Sequence, residues 1–175
     1  MRSIRLIAAL LAVLTVFSFA ACGAGADGAP VGMTLASPDF AGYRLYVPSS
    51  WIVTQSGGAV SAYVSETDPA NVSIMSWEMP YYDSTVEEWW QGYTEEFSTV
   101  FTEFVQESDE STVLDGTAAR KYVYTGTLGA NTYRYTQYAA VRAGVVYLIT
   151  CTELASAETD HSAEFAEIAA NFKWN

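Results

Sequence analysis

The chain is poor in the residues on which most catalysis depends. It has a single histidine, His161, in 175 residues, and 8 Lys and Arg against 20 Asp and Glu. With one imidazole, a Ser-His-Asp constellation can be built only through His161. No serine lies in the Gly-x-Ser-x-Gly turn that would present it as a nucleophile. A His-Glu-x-x-His zinc helix, a phosphate-cradling glycine loop and paired metal-ligand spacings are missing as well, so the sequence indicates no cofactor and no metal. Carboxylates are plentiful, which leaves a surface hydrolase working through paired carboxylates as the alternative to a non-enzymatic protein. The scarcity of cations bears on partners. A formal net charge of −12 repels nucleic acid and anionic lipid surfaces alike, and keeps the chain soluble.

The N-terminus reads as a targeting segment. Arg2 and Arg5 give a basic start, residues 6–19 are almost continuously apolar, and Ala20-Ala21 precede Cys22. The apolar run is shorter than the roughly 20 residues a membrane-spanning helix needs. Phe19-Ala20-Ala21-Cys22 resembles the bacterial lipobox, with Phe19 where leucine is usual. The resemblance implies cleavage after residue 21 and a palmitate-type acyl anchor on Cys22, the lipid attachment site of a lipoprotein held on the extracytoplasmic side of the cell membrane. Removing Arg2 and Arg5 takes the net charge from −12 to −14. The rest of 22–35 is rich in glycine and alanine without a hydrophobic period and is expected to be a flexible tether. With Cys22 acylated, Cys151 has no cysteine to pair with, so neither a disulfide nor a cysteine metal site is expected.

From residue 36 to 175, about 140 residues remain, enough for one domain with a sizeable core. Its centre is the stretch 118–152. Three runs rich in tyrosine and β-branched residues, 119–125, 132–142 and 145–152, are separated by turn residues around Gly126, Gly129 and Asn131 and then at Ala143-Gly144. They read as a hairpin-connected antiparallel meander. Residues 145–151 are apolar on both alternating faces, which predicts a strand covered on both sides, with Cys151 as a buried, inert thiol. Upstream, 43–47, 51–53, 59–64 and 72–78 read as further strands.

Two helices are expected as covers. Ser84-Thr85-Val86-Glu87 has the form of a capping box and predicts a helix over 84–106, with Val86, Trp89, Trp90, Tyr93, Phe97, Val100, Phe101, Phe104 and Val105 forming one apolar stripe. On that helix Trp89 packs on the sheet. Trp90, adjacent to it, is expected to be partly exposed at the stripe's edge. A second helix over 160–172 starts at Thr159 or Asp160, buries Phe165, Ile168, Ala169 and Phe172, and carries Lys173 at its negative end. Residues 107–111 read as a solvated acidic loop; it could hold a hard cation but lacks the turn glycine and spaced ligands of an EF-hand. Trp90, Asp83, Asp109 and Glu110 are the candidate surface or groove residues.

Several short pieces resemble the PsbP/DcrB-type family: Tyr43-Arg44-Leu45-Tyr46-Val47-Pro48 followed by Trp51, Asp115-Gly116-Thr117-Ala118-Ala119, the run 138–141, Val145-Val146-Tyr147-Leu148-Ile149-Thr150, and the closing Phe165, Ile168 and Asn171-Phe172-Lys173. Together they span essentially all of 40–174. The resemblance implies an α+β fold, an antiparallel β-sheet sandwiched between helices as an α/β/α sandwich, and a non-enzymatic binding or assembly module. The photosynthetic role of some members is not carried over, because only the short tether precedes the domain. The expected partners are the membrane, through the N-terminal lipid, and a protein or small ligand.

Overall fold

The computed structural model describes residues 28–56, 59–79 and 85–175. In chain order the elements are β1 (Met33–Leu35), β2 (Tyr43–Arg44), β3 (Tyr46–Pro48), β4 (Ile52–Ser56), β5 (Ala59–Tyr63), β6 (Asn71–Glu78), α1 (Val86–Glu95), α2 (Phe97–Val100), β7 (Phe104–Leu114), β8 (Thr117–Leu128), β9 (Asn131–Arg142), β10 (Val145–Leu154), α3 (Ser162–Asn171) and β11 (Lys173–Trp174). Among the described residues seven strands form one sheet in the order β4-β5-β6-β10-β9-β8-β7, and each neighbouring pair is antiparallel. The expected meander is β8-β9-β10. The Asp115-Gly116 turn leads from β7 into it and the Ala143-Gly144 turn joins β9 to β10, both residues of each at positive φ, the geometry that matches the twist of paired strands. Ala143 adopts φ 52° without glycine's freedom.

The sheet dominates the fold, and the helices are short covers on it. After β6, at the middle of the sheet, the chain crosses one face through α1 and α2, reaches the far edge as β7, and returns by the meander to place β10 beside β6. On this face Val86, Trp90, Phe97 and Phe101 pack with Tyr122, Tyr124, Ala139 and Leu148. The opposite face, carrying Ala119, Tyr138, Ala140, Ile149 and Cys151, is covered by Phe165, Ile168 and Ala169 of α3 and by Tyr43, Leu45, Tyr46 and Val47 from the N-terminal strands. Cys151 is fully buried, and burial pushes its thiol pKa up, as an inert core thiol requires. Residues 33–35, expected within the tether, form β1 and pair with β3, while Ala29 and Met33 are buried.

The first helix departs from expectation at both ends. Ser84 lies outside the described residues. The observed capping box is Thr85 with Glu88: Glu88 N donates to Thr85 Oγ1 at 3.1 Å and Thr85 N to Glu88 Oε2 at 2.9 Å. Rather than running to residue 106, α1 ends at Glu95, and Phe101 is extended with φ −102° and ψ 135°. Glu95 and Glu96 are unfavourable at the negative end of a helix, and the β-branched Thr99, Val100 and Thr102 lower helix propensity beyond it. The acidic residues 107–111, expected as a loop, lie inside β7. They form a strand because β8 supplies both a backbone ladder and cations: Lys121 lies 3.9 Å from Glu110, and Arg120 Nε donates to Asp109 Oδ1 at 2.9 Å. The ladder shifts register between Gln106 and Ser108, and Glu107 reaches Arg134 at 2.9 Å.

At the C-terminus α3 begins with Asp160 Oδ1 accepting from Ser162 N at 2.8 Å. Lys173 belongs to β11 rather than capping the helix, and donates to Asp115 Oδ1 at 2.8 Å.

Candidate functional site

The periodicity of α1 decides which tryptophan is buried. Val86, Trp90, Tyr93 and Phe97 recur at four, three and four residues, and that arc faces the sheet. Trp90 is 6% exposed and lies flat on Tyr122, with ring centroids 3.8 Å apart and planes 2° from parallel. This reverses the expectation for the pair: Trp90 is core, and Trp89, about 100° around the helix from it, is the half-buried one at the edge. Burial, and next the charge of Asp109, push the Tyr122 phenol up to about 12.

Beside Trp89 the helices stop short of the sheet's middle strands. The gap is a cleft of about 1150 Å³. Its helix wall is Glu88, Trp89, Tyr93, Glu96, Phe97, Val100 and Phe101, and its sheet wall is Ser73, Met75 and Trp77 of β6, Thr150 of β10, Gln137 and Tyr135 of β9 and Tyr124 of β8. Trp89 stacks on Tyr93 at 4.8 Å, Trp77 lies 5.5 Å from Trp89, and Tyr124 stacks on Tyr135 at 4.9 Å. Met75 is 60% exposed on an inner strand, a sign of how incompletely this face is covered. Burial raises the phenol pKa values of Tyr124 and Tyr135, so both hydroxyls stay protonated at neutral pH.

A polar row fixed by strand register runs across the cleft floor and on beneath Trp90. Ser73 pairs with Thr150, Thr150 with Gln137, and Gln137 with Tyr122, so the four side chains share one face of β6, β10, β9 and β8. Gln137 is 2% exposed, and its Nε2 donates to Thr150 Oγ1 at 2.9 Å. Its Oε1 finds no donor among the described residues. A buried unpaired acceptor of this kind costs about 1–3 kcal/mol. Neither Gln137 nor the row stood out in the sequence; the available signal was one glutamine within the tyrosine-rich run 132–142.

The other candidates are distributed differently. Cys22 and Asp83 lie outside the described residues. Asp109 and Glu110 lie on the edge strand rather than in the cleft. Asp109 is held by Arg120, whose Nη1 also donates to Ser111 Oγ at 2.7 Å and whose Nε lies 3.6 Å from Glu87 on α1. These contacts pin the first turn of α1 to the sheet edge. The cleft carboxylates, Glu88 and Glu96, are both exposed at its rim, and Glu88 is engaged in capping its own helix.

His161 lies on the opposite face and is 4% exposed. Its Nε2 is 2.9 Å from Asp68 Oδ2, its Nδ1 contacts Glu164 Oε2, and its backbone N–H donates to Glu153 Oε2 at 3.1 Å. Burial lowers its pKa, but the hydrogen bonds to Glu164 and Asp68 outweigh burial and leave it raised. With both ring nitrogens on carboxylates, the imidazole is a structural clamp between α3 and the loop before β6. Among the described residues no group of His, Cys, Asp or Glu is placed to hold a metal ion.

No protein-family model matches the chain, and no curated protein sequence matches it. Solved structures do. The solution structure of cyanobacterial PsbP (CyanoP) from Synechocystis sp. PCC 6803 superposes with a TM-score of 0.61 at 15% identity, over 87% of this chain and 98% of that one. LpqN of Mycobacterium tuberculosis, involved in cell envelope biogenesis, gives 0.57 at 13% identity, over 75% and 82%. A protein of Bacteroides thetaiotaomicron gives 0.58 at 13% identity over 82% of this chain, which spans 48% of that protein's length. The resemblance read from the sequence is thus met in three dimensions: the chain has a PsbP-like fold, an antiparallel sheet with few helices.

Proposed function

We propose that this protein is a lipid-anchored extracytoplasmic binding module, non-enzymatic, which takes a small, largely apolar ligand into the cleft beside α1. The observation that carries this is the cleft itself. A space of about 1150 Å³ is lined by tryptophan and tyrosine on both walls, with phenylalanine on the helix wall, and has a small polar floor, the composition of a small-molecule site. Two things support an extracytoplasmic position: the Arg-apolar-small-Cys order of residues 2–22, and the fold shared with LpqN, which is involved in cell envelope biogenesis. The finer form of the fold reading, a sheet sandwiched between helices, fits this function, since the helix on the cleft face covers only part of it. The paired-carboxylate hydrolase gains nothing from the cleft, whose two carboxylates are exposed at its rim.

The test is the load the protein carries. A small apolar molecule should co-purify with the parent and be lost from a Trp77→Ala/Trp89→Ala double variant; an unchanged load in that variant overturns the reading. Fractionation tests the anchor separately. Cys22→Ser should release the protein from membranes, and retention equal to the parent's excludes the lipid on Cys22.

A further inference from the structure

The unpaired oxygen on the cleft floor specifies more than apolar character. Gln137 is held by the inner strand β9 and by its bond to Thr150, so its Oε1 is fixed among described neighbours that give it no donor. The polar row around it is flanked by Tyr135 and Tyr124 on one side and by Met75 and Leu148 on the other, which admits an apolar body alongside one polar group. The parallel rings of Trp89 and Tyr93, with Trp77 5.5 Å from Trp89, suit a flat body. At the mouth Glu88 and Glu96 disfavour an anion.

We infer that the cleft selects a neutral, flat, largely apolar molecule carrying a hydroxyl or N–H group that donates to Gln137 Oε1. This rests on the binding reading above and narrows it. A phenol or aryl alcohol meets both demands. Its ether has the same shape and leaves the acceptor unpaired, and its carboxylate adds repulsion at the mouth. Discrimination by a buried polar group arises in this way, because the analogue without the donor must desolvate the acceptor and return nothing.

The probes are 2-naphthol, 2-methoxynaphthalene and 2-naphthoate, titrated into the full protein in lipid nanodiscs. Binding is read from the indole N–H resonances of Trp77 and Trp89, which a probe dissolved only in lipid leaves unmoved. In the parent, 2-naphthol should bind about tenfold more tightly than its methyl ether, with 2-naphthoate weakest. In Gln137→Leu the preference for naphthol over the ether should vanish while the ether still binds. Equal affinity of naphthol and ether in the parent, or tighter binding of naphthoate, overturns the inference and leaves the cleft as a binding site. Failure of all three probes to move either resonance overturns the cleft reading as well. The comparison of probes in the parent decides the matter even if the Gln137 variant does not fold.

Discussion

The two faces of the central sheet are made by the same strands and finished differently. On the α3 face, aliphatic and aromatic side chains from α3 and from the N-terminal strands close over the sheet, and Ile149, Cys151, Phe165, Ile168 and Phe172 are all 1% exposed or less. On the α1 face a ten-residue helix and one further turn are all that the crossover from β6 to β7 supplies among the described residues. The closed face is a core that stabilises the domain. On the open face, burial gives way to a cleft, and its aromatic residues divide between those that hold the helix down, such as Trp90, and those that line the cleft, such as Trp89.

Truncations separate the two roles most sharply. Phe165→Ala on the closed face should lose about 3–5 kcal/mol in denaturant melts, and Phe97→Ala, which borders the cleft where water can enter, about 3 kcal/mol. Trp90→Ala should resemble Phe165→Ala, because the stacked pair with Tyr122 is lost. Trp89→Ala should stay within about 1 kcal/mol of the parent while weakening ligand binding. If Trp89→Ala unfolds the protein as readily as Phe165→Ala does, the distinction between the faces fails.

Gly126→Ala probes the seat of Phe101 on the cleft face. A methyl carbon at Gly126 would stand 2.5 Å from the Phe101 ring, so the ring must leave its place or the strand must shift. A loss of about 1–3 kcal/mol is expected, together with altered cleft binding. An unchanged melt and unchanged binding would show that Phe101 moves freely.

The closed face should instead respond to pH, through His161 and Asp68. His161 has a raised pKa in the fold, so the stability it adds is fully present below its ordinary value near 6.5 and is lost as pH rises through the folded-state value. Asp68 has a lowered pKa, mainly from the Ala70 N–H and partly from His161. Its contribution is present above about 3.9 and is lost as pH falls through the folded-state value. Both therefore act fully between roughly pH 4 and 6.5. The other acidic groups at the clamp are Glu164 on the ring, Glu153 on the backbone N–H, and Asp160, which feels the charge of His161 while capping Ser162. In His161→Phe the loss of stability between pH 6 and 8 should flatten; an unchanged profile would place the titration elsewhere.

The smallest effect expected is a gain. Ala143 pays for its left-handed φ of 52°, and Ala143→Gly should add up to about 1 kcal/mol without touching either face. A loss would mean that the hairpin needs the alanine side chain.

These assignments were legible in the sequence to unequal degrees. The meander, α3 and buried Cys151 could be read because tyrosine-rich runs broken by Asp-Gly and Ala-Gly turns, and an apolar spacing of three and four, are local signals. The end of α1 could not be. Phe97, Phe101 and Phe104 keep a helical spacing and meet in one cluster, but Phe104 reaches it from a strand. Glu107 to Ser111 look like a loop until Arg120 and Lys121 stand opposite them and Arg134 reaches Glu107 from β9, and those partners are set by register. The choice between Trp89 and Trp90 turned on the phase of a single helix. The cleft and its glutamine depend on how far the helices reach over the sheet, which no local pattern encodes.

The acidic edge has a further consequence, for association. An exposed β-edge is a template on which a second copy can add its own edge strand, and β7 is eleven residues long with Val105 and Val113 exposed. Glu107, Asp109 and Glu110 place carboxylates along that edge, each matched by a cation on its own sheet and none by a cation a second β7 could bring. Two such edges offer each other no complementary charge on approach. In what reads as a solvated loop, the chain therefore carries a guard against polymerising through its sheets.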